Sequence, residues 1–519
     1  MEHSGKNIVI CSDGTGNTAI KGRGTNVFKM FESVDLNSHR FDPKLSPQVA
    51  IYDDGVGTES FKLLKIFGGA FGYGLSRNVR QLYKELCRIY DPRDRIYLFG
   101  FSRGAFTVRT LAGLITTCGI IDATKQKNAE EFEATVKLAY RAYRSRYRTD
   151  LVKLFRGEPD RGVIDAFRTK YCHQGEKIAF IGVWDTVDAV GLPMRVANVI
   201  NTSIYQFKFP NLELSGSVDH AAHALAVDDE RQSFHPLLWD ESKPRKNPQQ
   251  ILEQVWFAGA HSNVGGGYPK QGMSLVALDW IMSRAEHAGL RLVAEDRRYY
   301  HEHANIDDKL YNPRSGIGTF YRWLPRDIAQ LCAASGVRPV LHLSVMERIA
   351  HGTDDYCPGN LPPNATVIPT LTRDPARDRP ALERAAEAQQ VLIASHADGQ
   401  PLLHQARGAV RIGRLSYRIL LLTCLGLIAF AAASSDVPPS YSWSYLFAIG
   451  RRLLLEPAIL AALLGGALIS FLLASYSDRT ILGRFSHFWF MHQQDLRSAL
   501  KRARRNAQEV RSMEQLKAG

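Results

Sequence analysis

Ser102 stands in Gly100-Phe101-Ser102-Arg103-Gly104, a G-x-S-x-G pentapeptide. The apolar run RIYLF (95–99) precedes it, and the helix-prone AFTVRTLAGLI follows. A sharp strand-to-helix turn of this kind thrusts a serine out into an exposed, strained conformation, and the glycines remove Cβ atoms that would collide across the turn. The chemistry on offer is nucleophilic attack. A serine hydroxyl is a weak nucleophile at its free pKa and needs a base, which needs an orienting acid. With the order serine, acid, histidine, the base is His261 in AGAHSNVGGGYP, and Gly265, Gly266 and Gly267 let the chain turn closely behind it. The acid is Asp185, at the end of IAFIGVW (178–184) and between the other two in sequence. Rival histidines are His220, His223 and His235; rival acids are Asp188, Asp228 and Asp229. An ordinary tight turn at Ser102 and a helix-capping role for Asp185 are the structural alternatives.

The turn Ser12-Asp13-Gly14-Thr15-Gly16-Asn17 closes the first apolar run. Backbone N–H groups at Gly14 and Thr15, with that of Arg103 at a helix N-terminus, are the expected oxyanion donors. Asp13, Asn263 and Gly265 are the further substrate-site candidates. A D-x-D-G-T phosphotransfer motif would place its nucleophilic Asp where Cys11 stands, so that chemistry lacks its nucleophile. Asp13, Asp53 and Asp54 gathering a cation is a weaker alternative. No cofactor or metal is expected.

These residues have to be held by strands. Apolar runs at 7–11, 48–52, 95–99, 178–184 and 255–260 alternate with helical patterns such as Val79, Leu82, Leu86 and Ile89. That alternation predicts a largely parallel sheet covered on both faces, with its sites beyond the carboxyl ends of the strands. Residues 1–345 form this catalytic domain. Residues 346–405, rich in Pro and charge, read as an irregular cap or linker.

Two uncharged apolar runs follow, 17 residues at 419–435 and 21 at 457–477. A bilayer takes ~17–25 apolar residues of helix, so 406–480 reads as a transmembrane hairpin, against the alternative of a buried hairpin in an aqueous core. Tyr441, Trp443 and Tyr445 between the runs suit a membrane–water boundary. Arg407, Arg411, Arg414 and Arg418 precede the first run, and Arg479 and Arg484 follow the second; Arg451 and Arg452 in the link oppose them but are fewer. The positive-inside rule puts both termini and the catalytic domain in the cytosol.

The chain has 519 residues and a net charge of +13. About half of that charge lies in 479–519, which holds nine Lys or Arg and three Asp or Glu. In this tail (481–519) Leu496, Leu500, Ala503, Ala507 and Val510 share a helical face bordered by Lys501, Arg502, Arg504 and Arg505. A basic amphipathic helix beside a span points to an anionic membrane surface, with a solvated coiled-coil-like tail as the alternative. No nucleic-acid module accompanies the charge, so a nucleic-acid partner is not expected. Hydrophobic residues at 45% exclude a disordered chain. Seven cysteines without CxxC spacing suit a reducing compartment, and the first residues carry no apolar run of the signal-peptide kind.

IVICSDGTGN, YLFGFSRGAFTVRTLAGLI, GVWDTVDAVGLP, HALAVDDERQSFHP and WFAGAHSNVGGGYP occur in that order over roughly residues 5–345. As a set they resemble the α/β-hydrolase family that shares its catalytic domain with type VI secretion phospholipase effectors. The resemblance implies an α/β-hydrolase-like, mostly parallel sheet flanked by helices, a triad of Ser102, Asp185 and His261, and phospholipase A activity on glycerophospholipids. A secreted effector is not expected to carry a two-span hairpin, so the chain reads as a resident, membrane-anchored relative. The expected substrate is a phospholipid or another carboxylic ester. A non-catalytic membrane scaffold on the same fold and a cation-dependent phosphoesterase are the alternatives.

Overall fold

The computed structural model describes residues 5–14, 24–54, 70–145, 161–188, 212–245, 247–313, 323–372, 374–396, 398–434 and 443–518. Eight strands carry the fold: β1 (Asn7–Ser12), β2 (Gln48–Asp53), β3 (Arg95–Phe101), β4 (Ile178–Trp184), β5 (Val218–Ala226), β6 (Ile251–Phe257), β7 (Val340–His342) and β8 (Thr366–Ile368). They form one sheet in the order β2-β1-β3-β4-β5-β6-β7-β8, every pair parallel. The chain leaves β1 toward β2 and then returns to the other side of β1 with β3. That reversal opens a crevice at the carboxyl ends of β1 and β3, where ligands of such sheets bind.

Strands buried on both faces need apolar side chains at every position, and β1, β3 and β4 are buried almost throughout. On one face Val79, Leu82 and Leu86 of the helix Ala70–Ile89 pack with Leu111 and Leu114 of the helix Arg103–Cys118. On the other face Leu278, Trp280 and Ile281 of the helix Gly272–His287 cover Phe99, Phe180 and Phe257.

Residues 346–405 are not the irregular segment their Pro and charge content predicts. The helix Leu343–His351 runs across the expected boundary at 345, β8 extends the sheet, and Pro375–Ser395 is a 21-residue helix. Asp374 caps that helix by accepting from the Ala376 N–H, and Pro375 takes the first turn, where a missing N–H costs nothing. Its Ala385, Ala388 and Leu392 are buried against the C-terminal helix.

Two C-terminal helices are long and apolar enough to cross a membrane. The first, Arg407–Ser434, contains 419–434 of the expected span. The second, Pro457–Ala518, runs unbroken from the expected span through the tail. Small residues bring the two together. Ser416 Oγ donates to the Ser470 carbonyl at 2.7 Å and Ser470 Oγ returns the bond to the Ser416 carbonyl at 2.9 Å. Their outer faces leave Leu422, Leu425, Ile428, Leu464 and Phe471 exposed. The tail stripe differs from expectation. Leu496, Leu500 and Ala503 are buried, the two leucines in the cluster that includes the helix Pro375–Ser395, so this part of the face packs on the protein, while the side chains of Ala507 and Val510 lie outside the described residues. Trp489 donates to the Pro358 carbonyl at 2.8 Å and fixes the same interface.

Gly413 is where the foot of the first of these helices meets the catalytic body. A Cβ there would lie 2.3 Å from the Trp323 ring and 2.8 Å from Ser477 Oγ, whereas a Cβ at Gly408 meets nothing within 4 Å. Gly413→Leu is expected to lower thermal stability by about 1–3 kcal/mol through overpacking. Gly408→Leu should be close to neutral. Thermal unfolding of the two variants in detergent checks this, and equal melting temperatures would contradict the packing described.

Candidate active site

Phe101 pairs with Trp184 in the β3–β4 register. The next residue of each strand is therefore Ser102 and Asp185, side by side at the carboxyl edge of the sheet. Both have left-handed backbone conformations unusual outside glycine, φ +59° for Ser102 and +39° for Asp185. Such strain persists only where the surroundings enforce it. Here they do: the Ser102 N–H donates to the Trp184 carbonyl at 3.0 Å and the Asp185 N–H to the Ala224 carbonyl at 2.8 Å. A Cβ at Gly104 would lie 2.0 Å from the Ser12 carbonyl oxygen, and one at Gly100 would lie 2.6 Å from the Gly104 oxygen. Both glycines of the pentapeptide are thus required by backbone contact.

His261 opens a one-turn helix, His261–Gly265, after β6. Its Nε2 lies 2.8 Å from Ser102 Oγ and its Nδ1 lies 2.6 Å from Asp185 Oδ2. The structure brings the three sequence-predicted residues into one hydrogen-bonded row, all three buried. The ring is also held by aromatic neighbours, Phe101 at 4.6 Å and Phe234 edge-on at 4.9 Å between centroids. Its backbone N–H donates to Asp229 Oδ2 at 3.2 Å. Asp229 fixes the main chain of the histidine while Asp185 fixes its ring.

Arg326 carries no local sequence signal. It is buried, and its guanidinium donates twice to Asp185, to Oδ1 and Oδ2 at 2.8 Å each. It also donates to the carbonyls of Ala226 and Phe234. The Ala226 N–H adds a bond to Asp185 Oδ1 at 3.0 Å. Burial works to raise the Asp185 pKa, but Arg326 and His261 overcome it and hold the carboxyl well below the usual carboxylate range. Burial lowers the His261 pKa below its ordinary value, with Asp185 opposing. No local pattern in the segment WLPRD announces an arginine with a carboxylate partner 141 residues away.

The other candidates fall in structural roles. Asp13 is buried; its Oδ2 accepts from Thr25 Oγ1 at 2.5 Å and Tyr52 OH at 2.8 Å, and its Oδ1 from the Gly14 N–H at 2.6 Å. Asp13 and the Gly14 N–H are thus engaged with one another in this structure. Thr15 lies outside the described residues. Arg103 begins the helix behind Ser102, as expected. Asn263 is a buried brace, accepting from the Ala260 N–H at 3.3 Å and donating to the Lys309 carbonyl at 3.1 Å. Gly265 makes room for Phe101, whose ring would lie 2.0 Å from a Cβ there.

The rivals are engaged elsewhere. His220 pairs with Glu253 at 2.9 Å. His223 accepts from the Thr186 N–H at 3.1 Å, and burial drives its pKa down to about 3. His235 donates to the Leu324 carbonyl at 2.9 Å, and burial lowers its pKa to about 4. Asp228 accepts from the Gly259 N–H at 2.6 Å and Tyr356 OH at 2.8 Å, and burial pushes its pKa up to about 6. Asp188 is partly buried beyond the row. Cys11 is fully buried, with its thiol pKa pushed up by desolvation, so it does not stand in for a phosphotransfer nucleophile. Asp53 accepts from Ser12 Oγ at 2.8 Å. Among the described residues, no three His, Cys, Asp or Glu side chains are arranged to hold a metal ion.

The chain is 28% identical over 249 residues to an uncharacterised protein of Saccharomyces cerevisiae, a stretch that is 45% of this chain and 33% of that protein. It spans about a third of the length of that curated relative. It is also similar to a crystal structure of an uncharacterised protein from Pseudomonas aeruginosa, with 16% identity and a TM-score of 0.36 over 87% of this chain and 62% of the other. Residues 6–284 match the family model of the T6SS phospholipase effector Tle1-like catalytic domain. That match takes in more than half of the chain, including Ser102, Asp185 and His261, and the chain belongs to the Tle1-like phospholipase effector family.

Proposed function

We propose that this chain is a membrane-anchored serine hydrolase that cleaves carboxylic ester bonds of phospholipids. The observation that carries the reading is the row Ser102 Oγ–His261–Asp185, at 2.8 and 2.6 Å. Membership of the phospholipase family supports lipid as the substrate class. The exposed Leu and Ile faces of the two long helices support an anchor, since aqueous core helices bury such residues. The Arg-rich foot of the first helix supports a catalytic body on the cytosolic side, next to its substrate.

Ser102 Oγ attacks the ester carbonyl carbon and passes its proton to His261 Nε2. Asp185 holds the imidazole through Nδ1 and stabilises the imidazolium that forms. The developing oxyanion points at the Arg103 N–H and the positive end of the helix Arg103–Cys118. Collapse breaks the ester C–O bond, and the departing lysophospholipid alcohol takes the proton back from His261. Water, activated by the same nitrogen, then attacks the acyl-Ser102 carbon, and the fatty acid leaves. Thr15 is the proposed second oxyanion donor.

Arg326 shapes the energetics of the base. Its positive charge shares Asp185 with the imidazolium, so His261 gains less from protonation than it would beside an unpaired carboxylate.

A fluorophosphonate probe should label the wild type on Ser102 and leave Ser102→Ala unlabelled; equal labelling of both proteins would sink the nucleophile assignment. Neutral His261 is the active form, so activity rises with pH through its pKa. With that pKa held below the ordinary ~6.5, the acid limb of kcat/KM should fall below pH ~6.5. In Arg326→Gln the charge of Asp185 falls on His261 alone, imidazolium is favoured, and the limb should move to higher pH. Stability should drop by about 3–5 kcal/mol, because a buried charge loses its partner. Arg326→Lys, which retains the charge, should return the limb toward the wild-type position. A pH–rate profile unmoved in Arg326→Gln would reduce Arg326 to a purely structural part.

A further inference from the structure

Arg407, Arg411 and Arg414 rise along one face of the first apolar helix, at spacings of four and three. Together they wall an open pocket of about 870 Å³ where that helix meets the catalytic body. Leu324, Leu331 and Leu403 supply much of its apolar lining, with His235, Gln330 and His404 among them. Among the described residues lining the pocket the one carboxylate is Asp327. It is already engaged, accepting from the Gln330 N–H at 3.0 Å and pairing with His404 Nε2 at 2.8 Å. Arg407 and Arg411 are exposed and make no hydrogen bond or ion pair among the described residues. Arg407 and Arg411 thus present uncompensated guanidinium groups beside the leucines of the pocket, and Arg414 has an interaction of its own.

That combination selects its occupant. Guanidinium groups match the paired oxygens of a phosphate. An inorganic phosphate would leave the leucine wall in water, and a plain hydrocarbon would leave the arginines unmatched. Arg414 lies one turn, ~6 Å, from Arg418, the last charge before the apolar run. With that run in the hydrocarbon, the upper part of the pocket opens at the depth of lipid headgroups.

We propose that this pocket binds one anionic phospholipid, its headgroup phosphate among Arg407, Arg411 and Arg414 and its glycerol and first acyl carbons on the leucine wall. The proposal rests on the membrane-anchored reading above. It also adds an anionic-lipid contact at the foot of the first span to the one expected of the tail, where Leu496, Leu500 and Ala503 are buried. The bound lipid would lie against structure shared with the catalytic row. His235 lines the pocket and follows Phe234, which packs on His261, while Pro325 lines it and precedes Arg326.

The test uses full-length protein carrying Ser102→Ala, so that lipid is bound without being consumed. The protein is placed in nanodiscs of mixed phosphatidylcholine and phosphatidylglycerol and released for native mass spectrometry. One phosphatidylglycerol per chain should be retained. Arg407→Gln/Arg411→Gln/Arg414→Gln should reduce that retention about tenfold or more. Lys501→Gln/Arg502→Gln/Arg505→Gln in the tail should leave it intact. Should the triple pocket variant misfold, Arg411→Glu, at an exposed position, gives the same reading. Retention unchanged by the pocket substitutions, or lost with the tail substitutions instead, would overturn the site. Equal binding of inorganic phosphate in place of lipid would overturn the lipid assignment. Retention in Ser102→Ala together with no ester hydrolysis by the wild type would remove the hydrolase reading and leave the pocket standing.

Discussion

Asp185 is a carboxylate with no exposed surface, and keeping it ionised is the condition on which the rest of the site depends. Moving such a charge out of water costs several kcal/mol even after relaxation. The structure offsets that cost with both arms of Arg326, the Ala226 N–H and His261, each within 3.0 Å. Each of these partners is itself immobilised. Arg326 is tied to the carbonyl of Ala226 at the end of β5 and to that of Phe234 in the segment after it, and His261 is wedged between Phe101 and Phe234. Locating the acid therefore locates the base, and the base meets a serine already fixed by the strained turn after β3. On the proposed mechanism this is preorganisation, because polar groups are in place before charge develops.

The same loops tie the site to the C-terminal half of the protein. The segment holding Arg326 packs beside Leu403 and the foot of the first apolar helix, and the sheet edge at β7 and β8 is covered by helices that dock on the long C-terminal helix. The chain beyond 345 is therefore part of the catalytic body as much as an attachment to it. Small residues make this possible. Ser416 and Ser470 bond the two helices to each other, and Gly413 admits Trp323 of the body. Close backbone approach of this kind is how helices associate when the hydrophobic effect cannot drive them together.

The parallel sheet and the row Ser102, His261 and Asp185 were legible in the sequence because their signals are local. Apolar runs mark buried strands, Ser102 and Asp185 sit one residue beyond β3 and β4, and His261 follows β6 by four. What was not legible depends on distant partners. Arg326 reads as an ordinary charge until the fold brings it to Asp185. The stripe Leu496, Leu500 and Ala503 has the periodicity of a lipid-facing helix and equally that of a helix facing protein, and only the presence of Pro375–Ser395 decides between them. That helix was itself obscured by prolines, one of which is its first residue. Asp13 follows β1, and Asn263 and Gly265 follow His261 closely in sequence, but their hydrogen bonds and close contacts are set by partners distant in the chain.

The most direct measurement is the product spectrum from defined phospholipid in proteoliposomes, read by mass spectrometry for the wild type and for Ser102→Ala. Free fatty acid and lysophospholipid in equal amounts from the wild type, both absent with Ser102→Ala, are the predicted result. Release of diacylglycerol or phosphatidic acid instead, or the same products at the same rate from Ser102→Ala, would contradict a serine nucleophile acting on the carboxylic ester.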